Sequence, residues 1–314
     1  MIYALRGVAI SLSIFVLAYI ALRVVSATLA RLLEKTAKRY ADSLSSNGWY
    51  AFQVAPFALA AIVVATLAVP SFLRFEPAVA EEEFGWPVLM LSGICLFLVG
   101  TGIRRAWTAY ASTLQKVREW RQGSTVVRRD AVEVWETGPD SPPLVLAGIL
   151  RPKLLVSSSA TNTLNSDELA RALAHETTHI KNYDNLKKLM LRLCSFPLDS
   201  TLERRWLESI EMEADQNAVS NQHQALDLAS ALVKASRLSI ASAELATNLT
   251  SETGGLLHRR VERLLAWNDL EEAPSPTRSQ LLPIAAAMSL TLISVLWYPS
   301  LLLQMHKLAE FLMR

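Results

Sequence analysis

The sequence predicts an α+β membrane protein: four transmembrane helices, with a mostly helical domain carrying a small β-sheet inserted between the third and the fourth. Three observations predict it. Hydrophobic residues make up 51% of the 314 residues and charged residues only 19%, with a mean hydropathy of +0.25. Glycine is scarce at 11 residues, which favours helix over a turn-rich β fold. The surplus apolar residues collect in four stretches of the roughly 20 residues that a bilayer crossing requires. The same figures exclude other classes. So hydrophobic a chain is not disordered. A net charge of +2 gives no basis for nucleic-acid binding. Two cysteines, Cys95 and Cys194, cannot build a disulfide framework or a cysteine-rich metal site.

The spans are placed at about 7–30, 50–73, 86–103 and 281–303, with Trp49, Trp86, Trp297 and Tyr298 near their ends, where amphipathic rings prefer the headgroup level. The first could pass for a signal peptide, but Arg31, Lys35, Lys38 and Arg39 follow it and resist export. Nine basic residues flank the spans on one side and four on the other. The positive-inside rule then puts the N-terminus outside and the insert in the cytoplasm, in the inner (plasma) membrane of a cell. Arg104, Arg105, Lys116 and Arg118 read as a positive flank that also touches anionic lipid. The chain thus divides into 1–104 (three spans), 105–280 (cytoplasmic insert) and 281–314 (fourth span and a short tail).

The insert begins as β structure. Ala131–Glu136 alternates at period two, 138–143 is a Gly/Pro turn cluster, and Leu144–Ile149 and Lys153–Ser157 are short apolar runs, so about three strands are expected. Lys153–Ser157 could be an edge strand that accepts a peptide as an added strand, or an ordinary interior strand. Helices follow. Asn165 with Glu168 makes a capping box, Asp184 can cap a second helix through Cys194 that stops at Pro197, and Ser200 with Glu203 opens a third through about Ser220. Two more run from Ala225 to Leu238 and from Leu256 to Leu265. Glu271–Pro276 reads as a linker into the fourth span. Asn248-Leu249-Thr250 matches a glycosylation acceptor but is meaningless in the cytoplasm, and Cys194 reads as core.

The first of these helices carries His175-Glu176-Thr177-Thr178-His179. Residues four apart share a helix face, so both imidazoles can close on one Zn²⁺, and Glu176 beside them can reach a water as a general base. A catalytic zinc needs a third protein ligand. Glu211 and Asp215, four apart on a later helix, share a face, so one can bind metal while the other orients a ring. Glu203, Glu208 and Glu213 compete on composition alone. Glu213 lies about 200° around the helix from Glu211.

This motif pair resembles two related groups of membrane metallopeptidases, the BlaR/MecR-type antirepressors and the HtpX-like quality-control proteases. The resemblance covers roughly residues 144–265 and includes Gly148-Ile149-Leu150-Arg151-Pro152, Asp167-Glu168-Leu169 and the run from Arg259 to Leu265. It implies a zincin-like metalloprotease domain, with His175, His179 and Glu211 as zinc ligands, Glu176 as the catalytic glutamate, and Asp215 and Asp184 as acids behind the ligands. Three spans ahead of the domain and one behind look like the antirepressor layout. Two departures stand out: Ala214 where the antirepressors often have Cys, and no large sensor domain after the fourth span, which removes β-lactam sensing from what carries over. The resemblance implies a protein or peptide substrate, such as a transcriptional repressor, cut in answer to a signal arriving through the spans or a sensor partner. Removal of damaged membrane proteins and a non-catalytic membrane scaffold are the rival expectations. Tyr183, His223, Arg205 and Arg259 are candidates for stabilising an oxyanion; His223 and His258 otherwise read as surface residues.

Overall fold

The computed structural model describes residues 2–36, 45–77, 85–122, 124–129, 132–139, 141–149, 152–194, 200–243, 253–267 and 298–313. Three helices are long and apolar enough to cross a membrane: α1 (Ile2–Thr36), α2 (Ser46–Phe75) and α3 (Trp86–Arg121). All three outrun the expected spans. The largest difference is in α3, which continues unbroken through Arg121, so the first turns of the expected insert are a rod extending the third span rather than β structure. The expected fourth span lies outside the described residues up to 297. Residues 304–313, expected as a tail, continue a helix α10 (298–313). There Ala309, Leu312 and Met313 pack on Ile10, Ala68, Phe72 and Val88, because Leu302, Met305, Ala309 and Leu312 prolong one apolar stripe at helical spacing.

Two prolines inside α2 are accommodated by its neighbours. A proline removes the hydrogen bond to the carbonyl four residues back. Pro56 thereby frees the Phe52 carbonyl, which accepts from the Ser26 hydroxyl of α1 at 2.6 Å. Pro70 frees the Thr66 carbonyl, which accepts from the Tyr298 hydroxyl of α10 at 2.7 Å, and α2 widens into a π turn at Val64–Ala68 just before it. Where water is absent, such freed carbonyls need partners on adjacent helices. At the Phe75 end of α2, the Arg6 guanidinium meets Glu76 at 2.6 Å, both side chains buried.

The domain after α3 opens with four strands, one more than expected: β1 (Thr125–Arg129), β2 (Val132–Thr137), β3 (Leu144–Ala147) and β4 (Lys153–Ser157), in the order β1-β2-β4-β3. β1 pairs antiparallel with β2, β2 parallel with β4, and β3 antiparallel with β4. Lys153–Ser157 is therefore interior, not an edge. Its run from Leu154 to Ser157 is buried, as a strand flanked on both sides requires, and the edges are β1 and β3. A short helix α4 (Ser158–Thr163), not foreseen, is capped by the Ser157 hydroxyl. Then come α5 (Ser166–Lys181), α6 (Asp184–Cys194), α7 (Ser200–Ala218), α8 (Gln222–Ala243) and α9 (Thr253–Leu265). Ser200 is already helical, so the cap of α7 lies outside the described residues, as do Pro197, Asn248–Thr250 and the Glu271–Pro276 linker. The domain core joins Val134, Leu154 and Val156 of the sheet to Leu169 and Leu173 of α5 and Ala231 of α8.

The domain is seated on the long apolar helices. Trp206 and Ile210 of α7 pack with Trp49 of α2, and the buried Gln53 amide donates to the Leu202 carbonyl at 3.1 Å. Helix α6 lies against α3, and its last residue, the buried Cys194, accepts from the Tyr19 hydroxyl of α1 at 2.9 Å.

Candidate metal centre

Helix α5 is fixed at its start by the expected capping box, Asn165 Oδ1 accepting from Glu168 N at 2.8 Å and Glu168 Oε2 from Asn165 N at 2.9 Å. The Glu168 carboxylate also accepts from Ser230 at 2.5 Å and from Lys234 at 2.7 Å and 2.8 Å, anchoring α5 to α8. Helix α5 ends at Asn182, and Tyr183 takes a left-handed turn (φ 57°). That turn starts α6 at once and swings Asp184 back under the preceding helix.

The consequence is a convergent set of side chains. His175 and His179 are buried on one face of α5, their Nε2 atoms 3.1 Å apart. Glu211 of α7 faces both, with Oε2 3.4 Å from His175 Nε2 and Oε1 3.7 Å from His179 Nε2. Behind the rings, His179 Nδ1 lies 2.7 Å from Asp184 Oδ2 and His175 Nδ1 lies 3.0 Å from Asp215 Oδ1. Each Nδ1 thus faces an acid, and each Nε2 faces the shared space, the tautomer arrangement by which carboxylates orient metal-binding imidazoles. Three donors bonded tetrahedrally to one ion at 2.0–2.1 Å stand about 3.3 Å from each other, and the separations here bracket that figure. His175, His179 and Glu211 could therefore hold a metal ion. Glu176, half-buried beside His175, acts electrostatically on both His175 and Arg260. With His175 neutral, as ligation requires, Glu176, Asp184, Glu211 and Asp215 formally outweigh Arg260 and Lys187 by two charges, a balance suited to a divalent cation.

Arg260 lies in the run from Arg259 to Leu265 that carries the family resemblance, where the sequence assigned it no role at the centre. From α9 its guanidinium forks onto Asp215 at 2.7 Å and 2.8 Å, reaches Glu211 Oε2 at 2.8 Å, and comes within 3.4 Å of His175 Nε2. The signal was present: Arg260 falls on the apolar stripe of α9 with Leu264, and a cation there must find a buried partner. In the metal-free protein, burial alone would depress the His175 imidazolium, but Asp215 and Glu211 overturn this and raise it to about 9. Burial opposes ionisation of Glu211 and Asp215 as well, yet His175 and Arg260 hold both well below the usual carboxylate range.

The rival acids are engaged elsewhere. Glu203 faces Arg192, Glu208 pairs with Arg259 at 2.7 Å, and Glu213 accepts from Ser46 of α2 at 2.5 Å. The four oxyanion candidates are not assembled around the ligands. Arg205 and Arg259 serve Glu208, His223 is exposed beside Asp227, and Tyr183 is exposed in its turn. His258 is exposed and faces Glu262. No protein-family model matches this chain, and no curated protein matches it.

Proposed function

We propose that this protein is an integral-membrane zinc metalloendopeptidase. The observation that carries the reading is the convergence of His175, His179 and Glu211, each histidine backed by its own aspartate, with Glu176 on the same helix as the two imidazoles. Zinc, when bound, supplies Lewis acidity and lowers the pKa of water toward 7. The chain's own residues do the rest. Asp184 and Asp215 keep the imidazole Nε2 lone pairs aimed inward. Glu176 takes a proton from the attacking water and returns it to the leaving amine. Arg260 offsets the charge of Asp215 behind His175 and of the ligand Glu211.

The resemblance to antirepressor metallopeptidases supports a regulatory role, cleavage of a cytoplasmic protein such as a transcriptional repressor. In that arrangement four spans lie in the inner membrane and the metal centre faces the cytoplasm. A second reading, proteolysis of damaged membrane proteins, is favoured by one observation: Glu213, two residues from Glu211, bonds Ser46 at the first turn of α2, which keeps the site close to a membrane helix. The scaffold reading is weakened by the presence of Glu176, since a scaffold needs no base beside a metal.

The test is metal analysis of the full chain in detergent with casein cleavage. The expected result is one zinc per chain, lost in His175→Ala and Glu211→Ala, and cleavage abolished in Glu176→Gln with zinc retained. A wild-type protein without bound metal would overturn the reading, and undiminished cleavage by Glu176→Gln would overturn the role of that glutamate.

A further inference from the structure

We propose that Lys187 is a positioning residue of the metal centre and couples His179 to the first turn of α2. The inference rests on the metal-binding reading above and adds a residue and a path to it.

Asp184 holds His179 through Oδ2, but its other oxygen, Oδ1, is buried and accepts no hydrogen bond among the described residues. The cation facing that oxygen is Lys187, one turn along α6, with Nζ 3.8 Å away. The ammonium is itself held from the membrane side. It donates to Asn47 Oδ1 at 2.8 Å and lies 5.9 Å from the centre of the Tyr50 ring. Asn47 and Tyr50 belong to the first turn of α2. The same turn grips the other half of the centre, for Ser46 donates to Glu213 of α7 and Glu213 accepts from Asn182 at 3.4 Å. The start of a membrane span therefore touches α7, which supplies Glu211, and α6, which supplies the aspartate behind His179.

Lys187 completes a chain of contacts running from Asn47 through Lys187 and Asp184 to His179. Partners behind a metal ligand fix the ring and its basicity, and losing one costs 10–100-fold in metal affinity. With Lys187 withdrawn, the Asp184 carboxylate loses its facing cation and can rotate, releasing His179.

The bland alternative is that the Lys187 stem only packs against Tyr50. Lys187→Met keeps the stem and removes the charge, so it separates the two. Zinc dissociation constants are measured by chelator competition on the full chain in detergent, alongside the absorption spectrum of the cobalt-substituted protein. The expected result is about a tenfold weaker zinc site in Lys187→Met with an altered cobalt spectrum, restoration to within about threefold by Lys187→Arg, and an intermediate loss in Asn47→Leu that does not add to that of Lys187→Met. Asn47→Leu leaves Lys187 in place and keeps the test open if Lys187→Met fails to fold. Unchanged zinc affinity in a folded Lys187→Met, beside a wild type that binds zinc, would overturn this proposal alone. A wild type that binds no zinc would overturn it together with the metallopeptidase reading.

Discussion

Arg260 and Asp215 form a buried, two-pronged ion pair at 2.7 Å and 2.8 Å, and the same guanidinium reaches Glu211. Three ionised groups removed from water are tolerable only together. Deleting the cation leaves the buried Asp215 and the half-buried Glu211 with only His175 to offset them, and breaking a buried pair from one side costs about 3–5 kcal/mol. Arg260→Met is expected to lower the melting temperature sharply in chelator. Zinc should recover more stability in the variant than in wild type, because the ion then supplies the missing positive charge. Melting curves with and without zinc check this; an unchanged melting temperature in chelator would contradict the role of the pair.

Zinc binding should release protons. With its imidazolium raised to about 9 in the metal-free protein, His175 is protonated at pH 7 and must lose that proton to ligate. Calorimetry in buffers of different ionisation enthalpy should report about one proton released by His175 per zinc at pH 7, against about a quarter for a histidine of ordinary pKa 6.5. The stability linkage has the opposite sign. A raised histidine stabilises the metal-free fold below 6.5, and that contribution is lost as pH rises through about 9. Acid should therefore strip the metal, while alkali should weaken the metal-free fold.

Glu168 ties α5 to α8, and its carboxyl behaves oppositely. Burial pushes it up, but Lys234, Ser230 and the Asn165 amide outweigh burial and hold it below the ordinary range. Its stabilisation is present above the unfolded pKa, about 4.3, and is lost as pH falls through the lower folded value. Glu168→Gln should cost about 1–3 kcal/mol at neutral pH. The gap from wild type should close in acid, once wild type is protonated too. Urea titrations at pH 7 and in acid measure both values. A gap that does not change with pH would mean that the carboxylate charge contributes nothing.

What the sequence made legible was local. The four-residue spacings of His175 with His179 and of Glu211 with Asp215 put each pair on one helix face, and the Asn165–Glu168 box marked where α5 starts. Arg260 was hidden because its partners lie 45 or more positions away and only the packing of α9 on α7 brings them together. β1 was hidden because Thr125–Arg129 ends in two arginines and reads as polar. The interior position of β4 could not be read either: it follows from a parallel pairing with β2 across an intervening strand, which leaves no trace in the alternation of Lys153–Ser157. The first three expected spans were legible as apolar stretches and coincide with helices long and apolar enough to cross a membrane. Their continuation in α3 through Arg121 was not, because a helix leaving the bilayer keeps its period and loses its hydropathy.

Gly102 offers a test of how tightly α6 is seated on the long apolar helix α3. A Cβ at this position of α3 would overlap the Leu193 carbonyl oxygen. That atom belongs to the backbone of α6, so no side-chain rotation can relieve the clash. Gly102→Val must move the helix end or part the two helices, at a cost of about 1–3 kcal/mol. Removing the nearby Tyr19 hydroxyl, which donates to Cys194, deletes one hydrogen bond and should cost about 1 kcal/mol. The two changes also differ in reach. Helix α6 is 11 residues, about 16 Å, and its far end is Asp184, bonded to His179. A shift of the whole helix should thus loosen the zinc site in Gly102→Val, while Tyr19→Phe, which leaves α6 in place, should bind zinc as wild type does. Melting temperatures and zinc affinities of both variants in detergent decide the matter. Equal zinc affinity in Gly102→Val and wild type would show that α6 yields at Leu193 without carrying the displacement to Asp184.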